Sequence, residues 1–477
     1  MNGYRLLSIT TAGLLSDPVY YILCIVLAIA VLLGIHLMSK VEKAKLGNQI
    51  SAVAITLGII ITLIKKDILP VWLIYPGMAV GLIIGLILAK RVKMIQMPQL
   101  VALLNGIGGA ASAIVASFAL VTLYDSPEVF EKITASLAIV IGLITLSGSL
   151  VAAGKLHKTL SQKPVILPMH QTIAGILLMI LLLSVFSGGF FNVLPATGLV
   201  SIMVIFAATF GVIFSIRVGG ADMPITISLL NSLSGIAAAI AGFAVTDILL
   251  VAIGGIVGAS GLFLTQIMCR AMNRSLVDIL LGKTSSQQNT ASKKEELVEK
   301  KIEKETSKTI DPLEIIKSAK NIIIVPGYGM ALAHAQHLVK TLAQKLSANG
   351  TAVKYAIHPV AGRMPGHMDV LLIEAGVPFE DVYEMDEIND EFKTADVTIV
   401  IGANDVLNPA ARNAEGTPIY GMPILNVDQC DNIVIFNYDL QPGYSGVENP
   451  IYNRENGVWV IQGDAKDTLS ELLNKFS

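Results

Sequence analysis

The stretch NIIIVPGYGMALAHAQ, Asn321 to Gln336, decides the fold of the C-terminal part of the chain. Asn321–Pro326 is a short β-branched run, the pattern of a strand buried on both faces. Gly327 and Gly329 follow as a turn, and the alanine- and leucine-rich residues after them open a helix. In such a strand–turn–helix the first glycine permits the tight turn. The second lets backbone approach a phosphate at the helix N-terminus. The third glycine of the full fingerprint is absent: Leu332 stands there, flanked by Ala331 and Ala333.

Outward from this turn, short β-rich runs alternate with helical segments: AVKYAIHP, DVTIVIGAN, MPILNV, NIVIFN and VWVIQG. That alternation over residues 311–477 predicts one soluble, doubly wound, Rossmann-like α/β domain. A Rossmann turn usually has an acid at the end of the second strand, yet no Asp or Glu occurs between Gly329 and Asp369. HPVAGRMPGH instead brings Val360, Ala361, Gly362, Arg363 and His367 together, as a phosphate-contacting loop or a solvated turn would. A third loop, IGANDVLNPAARN, puts Gly402, Asn404 and Asp405 at the carboxyl edge of the sheet, where ligands bind in such folds.

Upstream the texture reverses. Mean hydropathy is +0.67, and 15% of the 477 residues are charged, well under the quarter or so of ordinary soluble domains. About nine apolar runs reach the ~20 residues that cross a bilayer: Pro18–Met38, Leu46–Ile64, Ile68–Ala89, Pro98–Leu123, Ile133–Ala153, Gln171–Phe186, Leu194–Ser215, Pro224–Val245 and Ile248–Met268. The expected organisation is a polytopic helical membrane domain over 1–281, a charge-dense linker over 282–310 and the α/β domain. The lipid bilayer solvates the first. The N-terminus lacks the pattern of a cleaved signal peptide, so the first run is expected to stay as a span.

Loop charge orients the spans. One set of alternate loops holds Lys40, Lys43, Lys45, Lys90, Arg91, Lys93, Lys155, Lys158, Lys163 and Arg217; the other, with the N-terminal tail, holds Arg5, Lys65, Lys66 and Lys132. The richer side faces the cytoplasm, and an odd number of spans puts the C-terminal domain there. A net charge of −2 implies no nucleic-acid partner, and the three cysteines, Cys24, Cys269 and Cys430, form no CxxC pair or zinc pattern.

Polar residues within spans are costly and stand as functional candidates. Asn105 lies well inside the fourth run, Asp222 at the cytoplasmic entrance of the eighth, and Asn231 roughly 13 Å deeper at helical rise. Interhelical hydrogen bonding accounts for the two asparagines equally well. His36, late in the first run, fits an interfacial position better than a proton relay. Small-residue stretches such as NGIGGAASAIVAS (Asn105–Ser117) and AIGGIVGASG (Ala252–Gly261) read as close helix packing.

PGYGMALAHAQ, IHPVAGRMPGHM, EMDEIND, VIGANDVLNPAA, GMPIL and GYSGVENP, with MPQLVALLNGIGG, GGADMPITISLLNSLSG and CRAMNRS upstream, resemble in order and spacing the β subunit of proton-translocating nicotinamide nucleotide transhydrogenases. The resemblance spans nearly the whole chain. It implies hydride transfer between NAD(H) and NADP(H) coupled to proton flow, in a bacterial inner membrane. This subunit would bind NADP(H) and form most of the channel. An α subunit would carry the NAD(H) domain and further spans, the assembly being a dimer of αβ units.

The resemblance puts Gly327, Tyr328, Gly329, Met330, Ala331, the 360–363 loop, Gly402, Asn404, Asp405 and residues 437–439 against the nucleotide. Gly443, Tyr444 and Ser445 open a lid, Gly443–Pro450. Asn105, Asp222 and Asn231 lie on the proton path, and Arg274 and Ser275 at the junction to the linker. Many members have a histidine at the Asn105 position, so the titrating group is expected elsewhere. No catalytic nucleophile and no metal are implied. The sequence departs from the family at Asn437-Tyr438-Asp439, where Lys-Arg-Ser usually contacts the 2′-phosphate. NADP preference is therefore expected to weaken, with NAD(H) admitted. A rival class, an ion channel or transporter gated by a nucleotide-sensing domain, fits composition and topology but leaves the lid and the GANDVLNPAA loop without a role.

Overall fold

The computed structural model describes residues 15–39, 41–66, 71–92, 96–157, 159–161, 164–191, 194–219, 222–271, 275–276, 312–362, 366–415, 417, 419–443, 445–454 and 456–476. The chain divides into two compact units, one of 1–160, 166–216 and 227–264, the other of 161–165, 217–226 and 265–477.

Among the described residues, nine helices are long and apolar enough to cross a membrane. They are α1 (Asp17–Met38), α2 (Val41–Lys65), α3 (Ile74–Arg91), α4 (Met97–Leu123), α5 (Val129–Leu156), α6 (His170–Phe190), α7 (Ala196–Ile216), α8 (Met223–Ala244) and α9 (Ile248–Ala271). Several boundaries differ from the apolar runs, and two of them have clear physical reasons. α3 begins at Ile74 rather than Ile68, which places Pro76 in its first turn, where the missing N–H breaks no helical hydrogen bond. α6 continues past Phe186 through Ser187-Gly188-Gly189. Those glycines are contact points: a Cβ on Gly189 would lie 2.4 Å from Ile133 Cγ1, and one on Gly188 2.8 Å from Ser136 Oγ.

The same logic holds elsewhere among the helices. A Cβ on Gly142 of α5 would lie 2.3 Å from the Gly109 carbonyl of α4, and one on Gly109 2.6 Å from the Gly142 carbonyl. Where α8 meets α9, a Cβ on Gly235 would lie 2.4 Å from the Gly258 nitrogen. In lipid no hydrophobic force draws helices together, so such approaches supply dispersion contacts that larger side chains would prevent.

The C-terminal domain consists of α10 (Pro312–Ser318), β1 (Asn321–Pro326), α11 (Tyr328–Leu332), α12 (Gln336–Ala348), β2 (Ala352–Ile357), α13 (His367–Glu374), β3 (Val382–Glu384), α14 (Met385–Ile388), β4 (Val397–Ile401), α15 (Ala410–Asn413), β5 (Ile433–Asn437), β6 (Val458–Gln462) and α16 (Ala465–Asn474). The six strands are all parallel, in the order β3-β2-β1-β4-β5-β6. Strand order reverses between β1 and β4, which opens a crevice at their carboxyl ends. β4 and β5 are buried at every residue, as expected of central strands covered on both faces. Ile323, Val325, Val400, Ile433 and Ile435 pack with Phe392, Leu425 and Val427 on one face.

MPILNV, Met422–Val427, was expected to be a strand and is not one. Pro423 has no N–H for a ladder; its carbonyl accepts from His358, and the Asn426 N–H donates to the Asn389 side chain. Ile424, Leu425 and Val427 still reach the interior, so the run is apolar for packing rather than for pairing. The three-residue β3 is too short to announce itself in sequence.

Candidate functional site

The helix expected after the glycine turn is two helices. α11 ends in a left-handed residue, His334 at φ 51°. There the Ala335 N–H donates to the Met330 carbonyl and the His334 N–H to that of Ala331, the two bonds of a Schellman closure. α12 then restarts at Gln336.

Gly327 and Gly329 sit directly on the β4 turn. The Gly327 N–H donates to the Ile401 carbonyl and the Gly329 N–H to the Gly402 carbonyl, both at 2.8 Å. A Cβ on Gly327 would lie 2.3 Å from the Gly402 carbonyl, and one on Gly402 2.4 Å from both Gly329 Cα and Met330 N. Gly402 also has φ +67°, a conformation only glycine adopts without cost. Two backbone turns, one on each side of the reversal point, are thus in van der Waals contact.

The β4 loop holds the 443–450 loop by side chains. Asp405 accepts from the Ser445 N–H at 3.0 Å and from its hydroxyl at 2.7 Å. Asn404 Nδ2 donates to the Gln441 carbonyl at 3.0 Å, and Asn449 Nδ2 donates to Asn404 Oδ1 at 3.1 Å. Fully buried Asn408 donates to the Val447 and Glu448 carbonyls at 3.4 and 3.2 Å. A Cβ on Gly443 would lie 2.5 Å from the Asp405 carboxylate. Asn408 and Asn449 were missed in sequence; each precedes a proline, and Asn-Pro pairs were the available signal.

At the end of β5, buried Asn437 donates to the Ala403 carbonyl at 3.0 Å and to the Tyr452 hydroxyl at 2.7 Å. Burial, with the Asp405 and Asp439 charges, pushes the Tyr452 hydroxyl up to about 12, against the Asn437 hydrogen bond. Tyr438 is 77% exposed. Asp439 accepts from the Gln441 N–H at 3.0 Å.

On the β2 side, His358 is buried with both ring nitrogens engaged. Nε2 meets the Pro423 carbonyl at 2.8 Å, and Nδ1 accepts from the Val360 N–H at 3.2 Å. That pairing fixes the neutral Nε2–H tautomer, and burial holds the ring at about 4, below its usual range. Ala361 is buried beside it. Gly362, at φ +106°, lies against the His367 ring, where a Cβ would be 2.4 Å from Nδ1. Tyr328 faces the same ring with centroids 6.4 Å apart. Burial also raises the Asp369 carboxyl. Arg363 and Tyr444 lie outside the described residues.

Among the helices, Asn105 is buried on α4 and donates to the Ile227 carbonyl of α8 at 3.3 Å. Asn231 is half-buried, its Nδ2 3.2 Å from where a Cβ on Gly261 of α9 would stand. Ser228 and Ser232 of α8 donate to the Gly261 and Gly258 carbonyls of α9. Asp222 is buried just before α8, its carbonyl accepting from the Thr226 N–H and hydroxyl, both at 3.2 Å. His36 is exposed at the end of α1. Ser275 is exposed, and Arg274 lies outside the described residues. All three cysteines are buried and unpaired.

The chain matches the family model "NAD(P) transhydrogenase beta subunit" over residues 20–475. It is 40% identical over 460 residues to "NAD(P) transhydrogenase subunit beta" of Rhodospirillum rubrum, covering 94% of this chain and 97% of the relative. A protein of the same description from a named strain of that species matches to the same extent. A nine-helix apolar region followed by a six-stranded parallel sheet with a glycine-lined crevice agrees with that match, and the chain belongs to the NAD(P) transhydrogenase β-subunit family.

Proposed function

We propose that residues 311–477 hold a nicotinamide dinucleotide across the β1/β4 crevice, that 1–281 conduct protons, and that 282–310 link the two. The observation that carries the reading is the contact of the Gly327–Gly329 turn with Gly402. It brings the backbone of both turns to the point where a pyrophosphate would cross the sheet. Gly327, Tyr328, Gly329, Met330 and Ala331 would receive the phosphates, with Val360, Ala361, Gly362, Arg363 and Gly402 alongside. Asn404, Asp405 and Asn437–Asp439 would receive the nucleoside on the β4–β5 half. Gly443, Tyr444 and Ser445 would fold over it.

The bound nicotinamide supplies the hydride chemistry; the protein's task is to position the ring and exclude water. Among the described residues there is one dinucleotide fold, and a hydride needs a donor and an acceptor. A partner α subunit, which the family name implies, would present the second nucleotide. The family resemblance assigns NADP(H) to this subunit and NAD(H) to the partner, within a dimer of αβ units. The family resemblance implies a bacterial inner membrane, and loop charge supports the C-terminal domain on its cytoplasmic side.

Asn105, Asp222 and Asn231 would carry the proton path, with Arg274 and Ser275 relaying its state to the linker. Protonation then biases nucleotide exchange, and nucleotide binding biases protonation by the same free energy. The test is reconstitution of the chain with its α subunit in proteoliposomes, following reduction of an NAD+ analogue and internal pH together. Turnover coupled to pH change is expected, and none from this chain alone. Turnover without pH change, or activity of the isolated chain, would overturn the proposal.

A further inference from the structure

The dinucleotide reading above can be sharpened to a choice between nucleotides, because the crevice has a distinctive charge inventory. In sequence, loops 327–335, 402–409 and 438–450 contain no lysine or arginine but carry Asp405, Asp439 and Glu448. The loop after β2 contributes Arg363 alone. Nearby Arg412 is already engaged, bonding both oxygens of Asp428 at 2.7 and 3.0 Å.

A dinucleotide crossing at β1/β4 lays one nucleoside over the β1–β2 half and the other over the β4–β5 half. On the β2 side the His358 ring is neutral, with both nitrogens engaged, and offers no charge to an anion. On the β5 side the Asn437 amide is committed to Ala403 and Tyr452. Beside it, Asp439 uses Oδ1 for the Gln441 N–H. Among the described residues no donor is recorded at its Oδ2. Tyr438 projects into solvent at 77% exposure.

A phosphomonoester carries a charge of about −2 near neutral pH and calls for cations or several aligned N–H donors. At this corner it would meet two carboxylates, Asp405 and Asp439, whose influence already registers on the Tyr452 hydroxyl. A ribose diol is the opposite case. Its hydroxyls donate, and a carboxylate accepts them in charge-assisted bonds.

The geometry points to a preference for the dinucleotide without a 2′-phosphate, NAD(H), with Asp439 accepting the adenosine ribose hydroxyls and Tyr438 offering its ring to the adenine. Stacking of a base on an aromatic ring is worth about 1–3 kcal/mol, so Tyr438 supplies affinity and Asp439 supplies selection.

The test is calorimetric titration of the full-length chain in detergent with NAD+ and with NADP+ at one ionic strength. NAD+ is expected to bind at least tenfold more tightly. Asp439→Asn should weaken NAD+ several-fold and narrow the ratio, while Tyr438→Ala should weaken both nucleotides alike. Tighter binding of NADP+, or an unmoved ratio in Asp439→Asn, would overturn the preference while leaving the dinucleotide site standing. Binding of neither nucleotide would overturn the site itself and the preference with it.

Discussion

The Asp405 carboxylate grips Ser445 twice, accepting from its N–H at 3.0 Å and its hydroxyl at 2.7 Å. This is the tie that joins the β4 loop to the 443–450 loop. Hydrogen bonds to charged groups contribute about 1.5–3 kcal/mol, and a half-buried pair falls at the lower end. Ser445→Ala keeps the backbone bond and removes the other. We expect nucleotide release to accelerate roughly tenfold with little change in association, since interface changes act mainly on dissociation. Stopped-flow displacement measures both rates. An unchanged release rate would mean that the loop does not gate the site.

Gly402→Ala separates two costs that coincide at one position. Its φ of +67° penalises any side chain, and its Cβ would strike Gly329 and Met330 at 2.4 Å. Gly350, at φ +89°, has open space around its Cβ. Gly350→Ala should therefore cost only the left-handed backbone term, about 1–2 kcal/mol. Gly402→Ala should add an overpacking cost of about 1–3 kcal/mol and prise the two turns apart. Thermal unfolding should show a larger loss for Gly402→Ala, and nucleotide binding should fall in that variant alone.

Glycine is also where sequence and structure agree most closely and where they part. Gly327 and Gly329 were legible as a phosphate turn because a strand precedes them. Their partner Gly402 became recognisable as one only once β4 lay beside β1, a neighbour about 75 residues away that loop chemistry does not reveal. The sixth apolar run ends at Phe186, yet α6 continues through Gly188 and Gly189, where Ile133 and Ser136 leave no room for a Cβ. Asn437 was legible as a missing cation. Its commitment to Ala403 and Tyr452 was not, since Tyr452 arrives from beyond the lid. Apolar periodicity reports burial, which is why MPILNV resembled a strand while serving only the core.

His358 makes the domain acid-sensitive in a defined window. The folded ring is held at about 4, below the ordinary 6.5. Below pH 6.5 the unfolded chain takes up a proton that the folded chain refuses, so stability is full above 6.5 and falls as pH drops toward 4. Between pH 6.5 and 5 the loss from this group is about 2 kcal/mol. His358→Gln should lower stability at pH 7.5 by about 1–2 kcal/mol through one lost hydrogen bond. It should also flatten the decline between pH 6.5 and 5. Calorimetric unfolding at the two ends of that interval tests both effects; an equal decline in the variant would exclude His358 as the source.

Asp222 and Asn105 test the membrane half in different ways. Asp222 is 3% exposed, just ahead of α8; Asn105 bridges α4 to the Ile227 carbonyl of α8. Asn105→Leu removes an interhelical bond worth about 0.6 kcal/mol, at most roughly 1.7. If the residue only packs, a small loss of thermal stability with normal pumping should follow. If it borders the proton path, proton-linked turnover should fall at least tenfold with little further loss of stability. Asp222→Asn keeps size and removes the charge. It should stop or uncouple proton movement in proteoliposomes. Normal pumping by Asp222→Asn would remove that residue from the path, whatever Asn105→Leu does.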